Sequence, residues 1–349
     1  MPDSQALYPL CFAPIYKHKV WGGDALSRHL GRALPTSDTG DGVGESWELV
    51  DLAQTSASGG GGGAERSAVA NGPLAGKSLS ELIAEHGRAI LGDLPLTDAG
   101  GFPLLLKYLD ASGNLSVQVH PSPEYAANHA DAFLKSEAWY IVDREPGAVI
   151  YKGMKPGVTP NDLRKALEQN TDDAVVPLME TVPVEPGDCH YLPSGTCHAL
   201  GEGILVAEVQ TPSDTTFRVY DWGRVGRELH IEQALACIHF GPSQGADYEP
   251  GDVVTVDGCT TTTLVRCGFF QIDNHQATAG YTDLVQPRQP RLWMWLSGQG
   301  VFSGPEPIAI EAGSTWLLPA AMPPCTVQAE TDAVWLEITF PQAHGGVLA

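Results

Sequence analysis

The stretch G-D-C-H-Y-L-P-S-G-T-C-H, Gly187 to His198, reads as a strand running into a tight Pro-Gly turn and out into a second strand that presents His198. Upstream, L-S-V-Q-V-H-P (Leu115 to Pro121) alternates, so Gln118 and His120 share one face of a strand. Glu137 lies between the two stretches. Two such strands with that glutamate can aim three or four metal-ligating side chains into one pocket.

The rest of the chain has the same grammar. Short strand-like runs separated by turn residues recur at Leu104–Leu109, Ala138–Asp143, Ala148–Lys152, His190–Leu192, Ile204–Gln210 and Thr216–Asp221. Such spacing favours an all-β sandwich or barrel with helices as insertions. Helical periodicity is confined to Thr159–Asn170, with Thr159 as N-cap and Pro160 at the first position, to Ser78–His86, to Pro123–Ala132 and to a short segment near Glu232–Cys237. Five consecutive glycines, Gly59 to Gly63, read as a flexible loop, because no G-x-x-x-x-G-K-[ST] pattern surrounds them. G-P-S-Q-G-A-D-Y-E-P-G-D breaks the pattern between Phe240 and Asp252, which predicts a first domain over 1–240 that holds the candidate metal ligands and a second β domain over 241–349. In that second part R-L-W-M-W-L-S-G-Q-G-V-F (Arg291 to Phe302) reads as strand, turn, strand. E-A-G-S-T-W-L-L-P-A (Glu311 to Ala320) loosely mirrors Pro186 to Pro193, without a histidine where His198 would fall.

Composition narrows the classes of function. The chain has 349 residues, 43% of them hydrophobic, enough for two domains with sizeable cores. No 18-residue apolar run predicts a membrane helix, and the N-terminus lacks a signal-peptide pattern. Seven scattered cysteines without a C-x-x-C suit a reducing cytoplasm better than a disulfide framework. A formal net charge of −22 argues against nucleic acid or an anionic membrane as partner. An anionic substrate would then need a local cluster of Lys and Arg, so the basic residues near the ligand motifs matter. Lys107 lies within the apolar P-L-L-L-K-Y-L, and either snorkels outward or points into the pocket. Alternation in T-T-F-R-V-Y-D places Arg218 on a face shared with Thr216 and Tyr220. Ser116 and Lys152 are further candidates for anion contact or site support. Lys17 and Lys19 either add positive field or face solvent. His129, His190, His230 and His239 fall in no metal pattern, and Cys197 reads as a small buried hydrophobe.

The spacing G-x5-P-x-G-x2-H resembles the second signature of the cupin superfamily, which usually pairs with a first signature containing H-x-H and a nearby Glu. Here Gln118 stands for the first His, and Glu137 follows His120 by seventeen residues, a gap that the Pro123–Ala132 helix accounts for as an insertion. With S-E-A-W-Y-I-V-D, S-D-T-T-F-R-V-Y-D-W, P-I-Y-K-H-K-V-W-G-G (Pro14 to Gly23), G-E-S-W-E-L (Gly44 to Leu49) and F-P-L-L-L-K-Y-L-D-A (Phe102 to Ala111), the chain resembles class I mannose-6-phosphate isomerases of the short bacterial form over most of residues 8–230.

That resemblance implies a mainly β fold of tandem cupin (double-stranded β-helix, jelly-roll) barrels with short helical insertions, the second barrel being degenerate. It implies one zinc ion per chain on Gln118, His120, Glu137 and His198. It implies a phosphosugar substrate contacted by Ser116, Lys107 and Arg218, with Arg218 and Lys107 catalytic. The implied reaction is reversible isomerisation of mannose 6-phosphate to fructose 6-phosphate through a cis-enediolate. A guanidinium is a poor base near neutral pH, so Arg218 is expected to stabilise the enediolate or position the phosphate. The base stays open between a zinc-bound water, Lys107 and a carboxylate. Oligomeric state is not legible, and a monomer suffices. The rival readings are an isomerase acting on free mannose, an iron-dependent cupin oxygenase and a non-catalytic sugar-binding cupin.

Overall fold

A computed structural model describes residues 6–53, 55–56, 64–241, 251 and 253–341. The Gly59–Gly63 run and most of the Phe240–Asp252 break lie outside the described residues. The chain is mainly β, with two face-to-face sandwiches. In the first, a six-stranded antiparallel sheet runs Cys189–Leu192, Glu137–Arg144, Ile204–Gln210, Leu105–Ala111, Gly42–Leu49, Ile15–Lys19. It faces a five-stranded sheet ordered Met179–Pro183, Val149–Met154, His198–Leu200, Val117–Val119, Phe217–Tyr220. The second sandwich pairs a seven-stranded sheet with a four-stranded one built from Thr282–Val285, Cys325–Ala329, Gly300–Phe302 and Ile308–Ile310.

Burial explains why the central strands look uniformly apolar. Leu105–Ala111 and Ile204–Gln210 are buried along their whole length. One face, carrying Leu109, Trp139, Ile141 and Val206, looks into the first sandwich. The other, carrying Leu106, Tyr108, Ala138, Ala207 and Val209, joins a core shared with Leu292, Met294, Leu336 and Ile338 of the seven-stranded sheet. Each fully buried aliphatic side chain contributes roughly 1.5–3 kcal/mol to such a core. The two sandwiches are therefore fused through a double-sided sheet.

The segment Leu10–Cys11 pairs with Leu317 and Trp316, so the N-terminal part of the chain lends a strand to the C-terminal sheet. Arg32 reinforces the junction. Its guanidinium grips the buried carboxylate of Glu48 with two 2.7 Å hydrogen bonds, bonds the carbonyl of Gly313 and lies over the Tyr108 ring.

The helices sit where capping chemistry predicts. Thr159 and Asp162 form a capping box on Pro160–Gln169, and Ser78 and Glu81 form another on Leu79–His86. Ser122 caps Pro123–Asn128, which ends at His129, short of Ala132. The fourth expected helix is Ile231–Cys237. Ala25–Leu30, Arg88–Leu91 and Asp172–Val175 are further short helices that periodicity does not reveal, because each spans only one or two turns.

Candidate active site

Three cross-strand rows build the site. On the five-stranded sheet, Lys152, His198, Gln118 and Arg218 are successive register partners. On the facing sheet, His190, Trp139, Glu208, Lys107 and Trp47 form one row, and Leu192, Glu137, Gln210 and Leu105 the next. Register partners share a face, so residues more than a hundred positions apart meet between the sheets.

His120, Glu137 and His198 converge with ligand atoms within 4.8 Å of one another, all three buried, the only such group among the described residues. His198 Nε2 lies 3.1 Å from Glu137 Oε1, and His120 Nε2 lies 3.4 Å from Oε2. Gln118, the fourth expected ligand, stands beside them with its amide 3.3 Å from His198 Nε2. Half a turn of that amide offers its oxygen in the same place.

Both imidazoles are locked for ligation. His120 Nδ1–H donates to the Thr215 carbonyl at 2.9 Å, and His198 Nδ1–H donates to the Thr196 carbonyl at 2.8 Å, which leaves each Nε2 lone pair pointing inward. The Thr196 carbonyl is set by the Pro193–Gly195 turn, where Gly195 takes a φ of 86° and a Cβ would lie 3.0 Å from the Cys237 carbonyl. The Thr215 carbonyl belongs to a loop held by Gln210, whose Nε2 donates to the carbonyls of Thr211 and Ser213.

The orphaned atoms test the fit of a metal. His120 Nε2, Glu137 Oε1 and Glu137 Oε2 are buried without a hydrogen-bond partner of good geometry. Burial of unsatisfied polar atoms is costly, and a cation among them removes that cost. Burial also pushes His120 down to about 3, so the ring stays neutral and ligation-competent. Glu137 is held well below the usual carboxylate range: burial opposes this, but Lys135, 2.7 Å from Oε2, and His120 outweigh it. Two imidazoles and a carboxylate, with an amide close by, suit a divalent ion that keeps a position open.

Beside the metal ligands lies a pocket lined by Lys19, Lys107, Lys135, Arg218 and Arg227 against Glu45, Glu208 and Asp214, five cations to three carboxylates. Trp21, Trp47, Leu109 and Leu115 supply apolar wall, and Ser116, Gln118 and Thr216 also face it. Lys107 therefore points into the pocket, with its ammonium 3.7 Å from both Glu45 and Glu208 and 4.9 Å from the Trp47 ring centroid. Lys19 is a pocket residue paired with Glu45 at 3.0 Å, while Lys17 pairs with Glu65. Lys152 does not line the pocket; it ends its row on the side of His198 away from Arg218.

One expected placement is corrected. Arg218 and Thr216 share the pocket face, but Tyr220 does not. Arg218 opposes Gln118 and Tyr220 opposes Val117, a β-bulge that turns Tyr220 into the core outside the pocket with Val117 and Val119. Arg218 is anchored by donation to the Glu228 carbonyl at 2.8 Å, and its Nε is buried without a partner.

Lys135, Glu208, Glu45, Asp214 and Arg227 are site residues that the sequence reading passed over. Glu208 and Lys135 carried a readable signal. Glu208 is a charge inside the apolar run I-L-V-A-E-V-Q, and Lys135 stands two residues before Glu137, hence on its side of the chain. Both are nearly inaccessible.

A buried His–Glu–His centre between jelly-roll sheets, opening on a cationic pocket, defines a cupin-type metal site suited to a small anionic substrate. Residues 10–146 match the model of the phosphomannose isomerase type I catalytic domain. The chain is 36% identical to mannose-6-phosphate isomerase ManA of Bacillus subtilis over 320 residues, 89% of this chain and 93% of that protein. It is also 36% identical to the mannose-6-phosphate isomerase of Streptococcus mutans over 317 residues, 89% and 92% of the two chains. A crystal structure of the mannose 6-phosphate isomerase from Bacillus subtilis superposes with a TM-score of 0.82 at 29% identity, covering 96% of this chain and 100% of that one. A phosphomannose isomerase mutant from Salmonella typhimurium shares the fold, with a TM-score of 0.71 at 15% identity over 95% and 99% of the chains. The chain belongs to the type I phosphomannose isomerase family, a family of aldose–ketose isomerases with a metal centre.

Proposed function

We propose that the chain interconverts mannose 6-phosphate and fructose 6-phosphate with one zinc ion held by Gln118, His120, Glu137 and His198. The observation that carries this reading is the cationic pocket beside a buried His–Glu–His cluster in a chain of net charge −22. A dianionic phosphosugar finds a positive field there. The zinc ion supplies Lewis-acid polarisation of the open-chain sugar's carbonyl and hydroxyl oxygens.

The protein's own groups do the rest. Glu208 is the base we assign: it faces the pocket, does not ligate metal, and has an Oε1 free of hydrogen bonds. Burial, then the Glu137 charge, push its carboxyl above the usual range, toward the basicity a proton shuttle needs. It takes the C2 proton of the open-chain aldose as the C2–H electrons form the C1–C2 double bond and the carbonyl pair moves onto O1, giving the cis-enediolate. The O2 hydroxyl proton passes to O1, the C2–O bond becomes the carbonyl, and the proton held by Glu208 returns to C1 on the C1–C2 electron pair to give the ketose. Lys107 donates to the sugar oxygens, and Arg218 holds negative charge on the enediolate side of the pocket next to Gln118. Ser116 contacts the substrate from the pocket wall. Asp214 has one oxygen without a hydrogen-bond partner and offers an acceptor for a sugar hydroxyl.

We assign catalysis to residues 1–240. Residues 241–349 serve as the cover that buries the outer face of the catalytic sheet, with Leu10–Cys11 crossing over to them. Seven free cysteines fit a reducing cytoplasm. No helix of the described residues is long and apolar enough to cross a membrane. The testing experiment compares mannose 6-phosphate with unphosphorylated mannose at equal zinc loading. A kcat/KM at least about a hundredfold higher for the phosphosugar is expected from loss of a buried charge–charge contact. Equal rates would support the free-sugar isomerase instead.

A further inference from the structure

The pocket wall is an alternating chain of charge. Lys19 pairs with Glu45 at 3.0 Å, Glu45 with Lys107 at 3.7 Å, Lys107 with Glu208 at 3.7 Å, Glu208 with Lys135 at 3.8 Å, and Lys135 with Glu137 at 2.7 Å. None of these side chains is more than 15% exposed. Glu45 is the carboxylate farthest along this series from Glu137. Both its oxygens are held: Trp47 Nε1–H donates to its Oε2 at 2.7 Å, while Lys19 holds its Oε1. Lys107 is shared evenly between Glu45 and Glu208.

We infer that Glu45 is a positioning residue that holds Lys107 back from Glu208, and so keeps Glu208 free to accept the substrate proton. This inference rests on the reading of Glu208 as the base. Without the Glu45 charge, Lys107 is left with one carboxylate partner, closes on Glu208 and stabilises its ionised form, which makes it a poorer base. The direct effect has the same sign. Glu45 pushes Glu208 up through space and Lys107 pushes it down. Burial opposes the charge on Glu45, but Lys19 and Lys107 outweigh it and hold that carboxyl at about 2, so it stays anionic through the working range. The other charged groups acting on Glu208 are Lys135 and Glu137 from the neighbouring strand and its approach, while Lys19, Asp214, Arg218 and Arg227 share its pocket. None of them is changed by the substitution.

The test uses the zinc-loaded enzyme and the pH profile of kcat, whose acid limb reports the base in the substrate complex. Glu45→Gln should move the acid limb down by about one pH unit and lower kcat roughly threefold to tenfold. Glu45→Asp, which keeps the charge, should hold the limb nearer its wild-type position. Lys19→Met provides the opposite arm. It removes a cation that competes for Glu45, so Glu45 draws Lys107 harder and the limb should move up. A fold-stabilising role alone would lower the melting temperature and leave the limb in place. Acid limbs of Glu45→Gln and Lys19→Met that coincide with wild type overturn the inference. If Glu45→Gln does not fold, the upward shift in Lys19→Met decides alone. Glu208→Gln separates the two readings: full activity in that variant sinks the base assignment, whereas its inactivity beside an unmoved Glu45→Gln limb sinks only the role of Glu45.

Discussion

Replacing Glu208 by Gln tests the proton shuttle at constant shape. The side chain is 3% exposed; its Oε2 accepts the Trp139 Nε1–H at 3.2 Å, and its Oε1 faces two ammonium groups. The amide oxygen can keep the Trp139 bond. Lys107 keeps Glu45 as partner and Lys135 keeps Glu137, so neither cation is stranded. The folding cost is therefore that of one weakened buried ionic contact, about 1–3 kcal/mol, small enough to leave the native state populated. The catalytic cost is that of a general base, about 10²–10⁴ in kcat, or roughly 3–5 kcal/mol of barrier. KM should change little, since the group acts in the proton-transfer step. The assay is a coupled isomerase assay at saturating mannose 6-phosphate, run beside solvent-deuterium incorporation at C1 and C2 of recovered sugar phosphate. Both signals should fall together. Turnover within about fivefold of wild type, well short of the loss expected for a general base, would refute the assignment and return Lys107 or a metal-bound water to consideration.

The other predictions concern the frame and the metal. His198→Ala should lose both bound metal and activity in metal analysis and turnover, since it removes one of three buried ligands. Gln210→Ala should release the Thr211–Thr215 loop behind His120 and weaken metal affinity about 10–100-fold in chelator competition, with the unfolding transition largely kept. Arg32→Ala should cost about 3–5 kcal/mol in urea unfolding, because it strands the Glu48 carboxylate, 1% exposed, at the junction of the sandwiches. Acid stability has a defined sign: the Glu45 carboxyl is held at about 2, below its unfolded value, so its contribution is full above the ordinary glutamate range and lost as pH falls toward 2. Glu45→Gln should flatten that part of the stability–pH curve measured by thermal unfolding.

The pattern of short alternating runs made the β architecture legible, and Gly187–His198 with His120 and Glu137 pointed to the buried His–Glu–His cluster, the family resemblance supplying the expected ligand set. The architecture rests on period-two alternation, and the turn before His198 on a Pro-Gly step with Gly195 in the left-handed region. What stayed hidden depends on long-range pairing. Glu45 meets Lys107, and Lys107 meets Glu208, only because three distant strands lie side by side. Tyr220 was misplaced because a bulge breaks the alternation without a sequence mark as plain as Gly or Pro. The crossing of Leu10–Cys11 into the C-terminal sheet is likewise a two-residue pairing across some three hundred positions. Buried charges in apolar runs were the transferable clue: the argument that picked out Lys107 and Glu137 applies unchanged to Glu208.

The most direct measurement is stoichiometric reconstitution of the metal-free protein. Chelator-treated enzyme should show no conversion of mannose 6-phosphate, and added zinc should restore turnover linearly up to one equivalent per chain and no further. Full activity in the metal-free protein, or recovery that needs a different stoichiometry, would contradict the account of His120, Glu137 and His198 as the centre of the reaction.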